Sequence, residues 1–236
     1  MSPQPTPPRR RLRPRTAIAL GTVLCASCAG LIAAAPALSD PPRPATNRAD
    51  ADGFVPLVTE TFASDFDLVG IEKSTLTIKG GEVAVSGHPD GYFATRKSYK
   101  NYTLRFEWKY DRPAGLKDDA KFSGNSGLLI HIVGQHKIWP KCIEMQLMNA
   151  DAGHVFGVGA KFASAKVPGA QQRAIKPVGA WNATEVVCKD GAIAASLNGV
   201  VISSGRGDDV VEGKIAWQSE GAPIRFRKLE IKEAKP

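Results

Sequence analysis

Residues 184–204 read TEVVCKDGAIAASLNGVVISS, and their spacing decides the class of fold. Three short runs, TEVVCK, AIAASLN and VVISS, are separated by Asp190-Gly191 and Asn198-Gly199. A two-residue hairpin loop of type I′ needs positive φ at both central residues, which Asp-Gly and Asn-Gly adopt at least cost. The runs alternate with a period of two, the spacing at which side chains share one face of a strand. Working outward, the same period recurs in STLTIK, EVAVSG, YTLRFEWKY, SGLLIHIV, CIEMQLM, GKIAWQ and PIRFRKLEIK, with Gly80-Gly81 and Pro89-Asp90-Gly91 as further turns. No stretch after residue 53 sustains a helical repeat, and no internal repeat of fixed period suggests a propeller. Ten or more short strands joined by tight turns predict an all-β domain, a sandwich or a barrel.

The phase of each strand assigns faces. In YTLRFEWKY, Leu104, Phe106 and Trp108 point one way and Arg105, Glu107 and Lys109 the other. In GLLIHIV, His131 falls in phase with Leu129, opposite Leu128, Ile130 and Ile132. In CIEMQLM, Glu144 and Gln146 lie opposite Ile143, Met145 and Leu147. If these strands are neighbours, Arg105, Glu107, His131, Glu144 and Gln146 converge on one open face. In PIRFRKLEIK the apolar phase slips between Phe226 and Leu229, which predicts a β-bulge at Arg227-Lys228. Two longer segments, 111–125 and 149–178, break the rhythm and are the loops in which a site could be built.

The first 39 residues are of another kind. Five arginines (Arg9, Arg10, Arg11, Arg13, Arg15) precede the apolar run AIALGTVLCASCAGLIAAA and the small-residue exit APALSD, the arrangement of an export signal. Cleavage is expected after Ala37 or Ser39. The run is also long enough to remain as a membrane anchor, and Cys28 offers a lipoprotein-type attachment. Residues 40–52, DPPRPATNRADAD, read as a proline-rich linker, leaving 53–236 as one domain. The chain's net charge of +8 falls to 26 − 23 = +3 once the signal's five arginines are removed. No Lys/Arg cluster with interleaved aromatics follows residue 40, so the basic balance does not point to nucleic acid. Cys142 and Cys188 fit no zinc spacing and read as two buried thiols, a disulfide being the alternative. No cofactor is evident. Asp65/Asp67 and Asp118/Asp119 are acidic pairs that could join a divalent cation, although surface pairs of this kind are commoner.

Glu144 is the leading chemical candidate, because its neighbours Cys142 and Met148 imply a partly covered face on which a carboxylate needs a partner. His131 is the second. Trp139, beside Pro140, reads either as a rim aromatic able to stack on a sugar ring or as a hydrophobic plug. There is no Gly-x-Ser-x-Gly elbow and no phosphate loop. Gln146, two residues after Glu144, cannot act as acid or nucleophile, so two-carboxylate glycoside hydrolysis from this one strand is not expected.

The ordered set GYFATRKSYKNYTLRFEWKY, NSGLLIHIVG, the Glu-x-Gln of IEMQL, Trp181-Asn182, LNG at 197–199 and GKIAWQSEGAPIRFRKLEIKE resembles the 3-keto-disaccharide hydrolase family, also described as 3-keto-glucoside lyases and hydratases. The resemblance runs from about residue 56 to 234. It implies a concanavalin A-like jelly-roll β-sandwich of two antiparallel sheets, in an exported, periplasmic or extracellular bacterial protein acting on a sugar. Two departures stand out. Cys142 replaces a commoner residue before Glu-x-Gln, and no histidine stands between Gln218 and Arg227, where relatives often carry one.

The implied chemistry uses the acidity that a C3 ketone confers on the C2–H of a sugar. A base removes that proton, the C1 substituent leaves, and water adds back, giving net hydrolysis. Glu144 or His131 is the expected base. Gln146, Lys97 or Arg105 is expected to polarise the ketone, and Asn125, Trp139 and Gln218 to contact sugar, with Glu107 nearby on the same face. This scheme requires Glu144 and His131 to share one ligand-sized hollow. A lectin-like, non-catalytic carbohydrate-binding module is the alternative, since the same sandwich serves both.

Overall fold

Alternation and turn chemistry produce fifteen strands in the structure, a computed structural model that describes residues 49–59 and 62–235. The expected export segment and most of the linker lie outside the described residues. The strands are β1 (Val55–Pro56), β2 (Phe66–Val69), β3 (Leu76–Lys79), β4 (Glu82–Val85), β5 (Gly91–Thr95), β6 (Tyr102–Tyr110), β7 (Gly127–Val133) and β8 (Lys141–Gln146). They continue as β9 (Val155–Val158), β10 (Ala163–Lys166), β11 (Asn182–Lys189), β12 (Ala192–Leu197), β13 (Val200–Arg206), β14 (Lys214–Ser219) and β15 (Ile224–Glu233). Among the described residues, helix is confined to single turns, chiefly α1 (Phe62–Asp65) and α2 (Ala170–Ala174). Among the described residues, no helix is long and apolar enough to cross a membrane.

Two antiparallel sheets face each other. The larger runs β10-β13-β12-β11-β6-β15-β4-β3, with β1 also on β15, and the smaller runs β2-β5-β14-β7-β8-β9. Between them lies one core in which Phe93 stacks on Trp217 at 5.4 Å and Phe106, Trp108 and Phe226 are buried. Inside, Trp108 Nε1 donates to Thr184 Oγ1 at 3.0 Å and the Tyr110 hydroxyl donates to the Leu147 carbonyl at 3.1 Å, whereas the Tyr102 hydroxyl and Trp217 Nε1 have no partner. Asp50, at the end of the expected linker, already pairs with Arg105, and Phe54 is buried, so the chain docks before residue 53.

Both hairpins read from the opening stretch form as expected, with φ of 47° and 80° at Asp190-Gly191 and 50° and 81° at Asn198-Gly199. The bulge in β15 is also where the phase slip placed it. Pairing with β6 shifts between Arg227 and Glu230, and Lys228 has φ 52°. Before the bulge β15 pairs with β4, and after it with β1. A β-branched side chain resists positive φ. Lys228→Val is therefore expected to cost on the order of 1–2 kcal/mol, read as a lowered midpoint in urea unfolding.

Candidate functional site

Glu144 sits in mid-β8, paired with Leu129 of β7 and Phe156 of β9. Strand alternation turns Ile143 and Met145 into the inter-sheet core and leaves Cys142 and Glu144 on the outer face of the smaller sheet. That face is not solvated. Tyr92, Ala94, Leu129, Ile132, Cys142 and Ala216 form a second buried cluster there. The β7–β8 connection, residues 134–140, covers it. A Cβ on Gly70 would stand 3.0 Å from Ile138 Cγ1, although Gly70 follows β2 at the diagonally opposite corner of the sheet. Glu144 is consequently only 6% exposed.

The polar groups of this face meet above Gly127. Gln218 pairs with Tyr92 on one side, and Gly127 pairs with Gln146 on the other. A Cβ on Gly127 would lie 2.1 Å from Gln218 Oε1 and 2.7 Å from Glu144 Oε1, so the bare glycine leaves the space in which those two side chains converge. Both polar atoms of Gln218, the Tyr92 hydroxyl and Asn125 Oδ1 are buried with no hydrogen-bond partner. Buried polar groups are almost always paired, so an amide with neither end satisfied marks a place for a polar ligand or water.

Glu220 joins this group. It lies two residues beyond Gln218 on the same phase, and the Asn125 backbone bridges to Glu220 and Gly221. Against the burial that raises it, the Asn125 side chain lowers the Glu220 pKa. Burial, then the Glu220 charge, push the Glu144 carboxyl up to about 7. Glu220 is itself raised, by burial and then by the Asp90 charge, with the Asn125 hydrogen bond opposing. No lysine or arginine offsets either group. Burial and then the Cys142 thiol raise Tyr92 to about 12, keeping the phenol a hydrogen-bond donor at neutral pH. The face can thus move protons near pH 7 and donate hydrogen bonds to a developing oxyanion.

Several expected members are elsewhere. His131 is turned into the core. Ile130 and His131 together oppose Ile215 of β14, and His131 and Ile132 together oppose Cys142 of β8. This bulge, with φ 56° at His131, throws the imidazole between the sheets, edge-on to Tyr102 at 5.6 Å. Ile132 takes the outer position instead. Burial lowers the His131 pKa, with the carbonyls of Val210 and Lys100 opposing. The required pairing of Glu144 with His131 does not exist.

Arg105 and Glu107 are also misplaced by the expectation that β6, β7 and β8 are neighbours, because β6 belongs to the larger sheet. Arg105 pairs with Glu230 and Asp50. Glu107 pairs with Arg227 and Lys228 at 2.6 and 2.7 Å, and Arg227 stacks on Trp181. Lys97 pairs with Glu233 and lies over Tyr99, lining a separate groove of about 510 Å³ that includes none of the Glu144 face.

Gln146 is on the expected face, but its Oε1 accepts from the Leu147 and Met148 amides at 3.0 and 2.8 Å, holding the chain as it leaves β8. Asn125 and Gln218 belong to the site. Trp139, 47% exposed, is carried by the covering loop. Cys142 and Cys188 are free thiols, the first in the outer cluster and the second in the inter-sheet core. Asp67 is engaged by Lys214 and Arg96 and Asp119 by Arg112, while Asp118 caps a short turn. Among the described residues, no cluster of three or more His, Cys, Asp or Glu is arranged to hold a metal ion.

Sequence reasoning missed Glu220 and Tyr92. Glu220 had a signal: it occupies the Gln218–Arg227 interval, where relatives often carry a histidine, in phase with Gln218.

Solved structures share this architecture. A candidate glycosyl hydrolase from Parabacteroides distasonis ATCC 8503 superposes with a TM-score of 0.58 at 18% identity, covering 77% of this chain and 99% of its own. A second from the same organism gives 0.52 at 18% identity, covering 76% and 99%. The carbohydrate-binding module CBM66 from Bacillus subtilis gives 0.50 at 10% identity, covering 72% and 96%. At these identities the likeness establishes the fold, a concanavalin A-like sandwich. No curated protein sequence matches the chain. The family model of the 3-keto-alpha-glucoside-1,2-lyase-like domain matches residues 43–232. With most of its length matched, and with the fold those motifs imply, the chain belongs to the 3-keto-alpha-glucoside-1,2-lyase-like family.

Proposed function

We propose that this is an exported carbohydrate-active enzyme that cleaves 3-keto-glycosides, by proton removal at C2 and elimination at C1 followed by addition of water. The observation that supports this reading best is the buried Glu144 carboxyl, with a pKa of about 7, beside the unpartnered amide of Gln218. A base working on an activated C–H needs a pKa near ambient pH, and the same burial that sets the pKa keeps water from the enolate.

In the first step the Glu144 carboxylate takes the C2 proton and negative charge develops on the C3 oxygen. No cation faces that position, so Gln218 Nε2 and the Tyr92 hydroxyl are the donors that hold it, both buried and free to bond. The C1 oxygen leaves as a C1–C2 double bond forms. Water then adds at C1 while protonated Glu144 returns its proton to C2. Asn125 and, at the mouth, Trp139 contact the sugar. Export, periplasmic or extracellular, rests on the N-terminal segment, which also offers the route to membrane or lipid attachment.

The test is product analysis by mass spectrometry with a panel of 3-keto-glucosides and their unoxidised parents, with a chelator control. The expected result is release of the aglycone from the 3-keto compounds alone, with transient 3-keto-2-hydroxyglucal. Tight binding of an unoxidised glycan without turnover would identify a lectin-like module instead.

A further inference from the structure

Elimination needs a proton for the departing C1 oxygen as well as a base at C2, and His131, edge-on to Tyr102 in the core, does not supply it. Glu220 is placed for the task. Gln218 and Glu144 meet above Gly127, and Glu220 is the next residue after Gln218 whose side chain rises from the same face. Asn125, whose buried Oδ1 has no partner, is fixed to Glu220 and Gly221 through the backbone. The fully buried, doubly unpartnered Gln218 amide between the two carboxylates marks the ligand position.

We propose that Glu220 is the acid that protonates the leaving C1 oxygen, working with Glu144 as base at C2, so that two carboxylates on neighbouring strands perform the elimination. This assignment rests on the reading of the chain as a 3-keto-glycoside-cleaving enzyme. The elimination starts from the one-proton form of the pair that has Glu220 as carboxylic acid and Glu144 as carboxylate; in the other one-proton form the Glu220 charge holds the proton on Glu144 and no base is present. The C2–H bond breaks with its proton passing to Glu144, and its electron pair forms the C1–C2 double bond. The C1–O bond breaks with its electron pair leaving on oxygen, which takes the proton of Glu220. In the return half, water adds to C1 and gives a proton to the Glu220 carboxylate, while Glu144 gives its proton to C2. Both groups finish as they began, and one water is consumed. With Glu144 buried, Glu220 partly buried and no lysine or arginine offsetting either, the pair resists carrying two charges at once, which favours the forms that hold a single proton.

The experiment uses the full chain with Glu220→Gln, Glu220→Asp and Glu144→Gln, each first shown by thermal melting to be folded. Three readouts are taken: cleavage of a 3-keto-disaccharide, cleavage of a nitrophenyl 3-keto-glucoside whose leaving group needs no acid, and C2 hydrogen exchange in deuterated water. Glu220→Gln is expected to lower disaccharide cleavage by about 10²–10³, to lower nitrophenyl cleavage by less than about tenfold, and to leave C2 exchange in place. Glu220→Asp is expected to recover part of the disaccharide activity, and Glu144→Gln to lose all three. Equal loss on both leaving groups, loss of C2 exchange, or unaltered disaccharide cleavage in Glu220→Gln would overturn the assignment alone. A wild-type chain inactive on both keto substrates would overturn the reading of function and the assignment with it.

Discussion

Glu144→Gln is expected to lower turnover of a 3-keto-glucoside by about 10²–10⁴ and, at the same time, to stabilise the fold at alkaline pH. The two effects have one cause. Burial, and then the neighbouring Glu220 charge, raise the Glu144 pKa from its ordinary 4.5 to about 7. A carboxyl raised in the folded state favours folding in its protonated form. Its contribution is fully present below the unfolded value of about 4.5 and is lost as pH rises through about 7. Above that pH the ionised group weighs against the fold by about 3 kcal/mol, and a neutral glutamine escapes the penalty. The midpoints of urea unfolding for wild type and variant should therefore nearly coincide at pH 4 and separate at pH 8, with the variant the more stable. Catalysis should run the other way. For a nitrophenyl 3-keto-glucoside, whose leaving group needs no acid, wild-type kcat/KM is expected to climb with pH through a limb near 7 as the base ionises, and the variant's residual rate should lack that limb. Unchanged turnover by the variant would remove Glu144 from the chemistry, and equal stability at pH 8 would show that the carboxyl is not desolvated in solution.

Ten of the fifteen strands, both type I′ hairpins and the β15 bulge were legible because each rests on a local rule: a period of two, a residue that tolerates positive φ, a slip of phase. What was not legible depends on long-range placement. Alternation assigns the face of a strand but not its sheet, so Arg105 and Glu107 were put beside Glu144 when β6 lies in the other layer. In β7 the phase of His131 was read through a bulge that carries no phase slip visible in GLLIHIV, since leucine and isoleucine are acceptable on both buried faces of that sheet. The opposite case is β15, where polar residues alternate with apolar ones and an extra residue shows at once. β5 escaped notice for the same reason as the β7 bulge: Gly91–Thr95 is buried on both sides and shows no alternation. Glu144 was found because a carboxylate in an apolar run is costly unless it has a use. Glu220 was not, because it follows β14 in what reads as a turn.

Gly127→Ala should separate the site from the scaffold. Turnover is expected to fall by about 10² or more, as a displacement of about 1 Å at the reacting groups is enough to do, with unfolding free energy changed by no more than about 1 kcal/mol. The added Cβ would stand 2.1 Å from Gln218 Oε1 and 2.7 Å from Glu144 Oε1, distances no native contact tolerates, so both side chains must move. These are the ends of flexible side chains, not backbone, which makes the movement cheap for the fold. Gly127 has no left-handed φ, so its backbone accepts alanine without strain, and the unfolded chain loses entropy in its favour. The contrast with Gly213 is instructive. A Cβ there would meet the Ile132 carbonyl at 2.4 Å and the His131 backbone, at the bulge that shapes β7, and nothing can swing aside. Parallel measurement of keto-glucoside turnover and urea unfolding checks the expectation. Full activity in Gly127→Ala would mean that Glu144 and Gln218 do not need to meet above residue 127, and the roles given to both would then fail together.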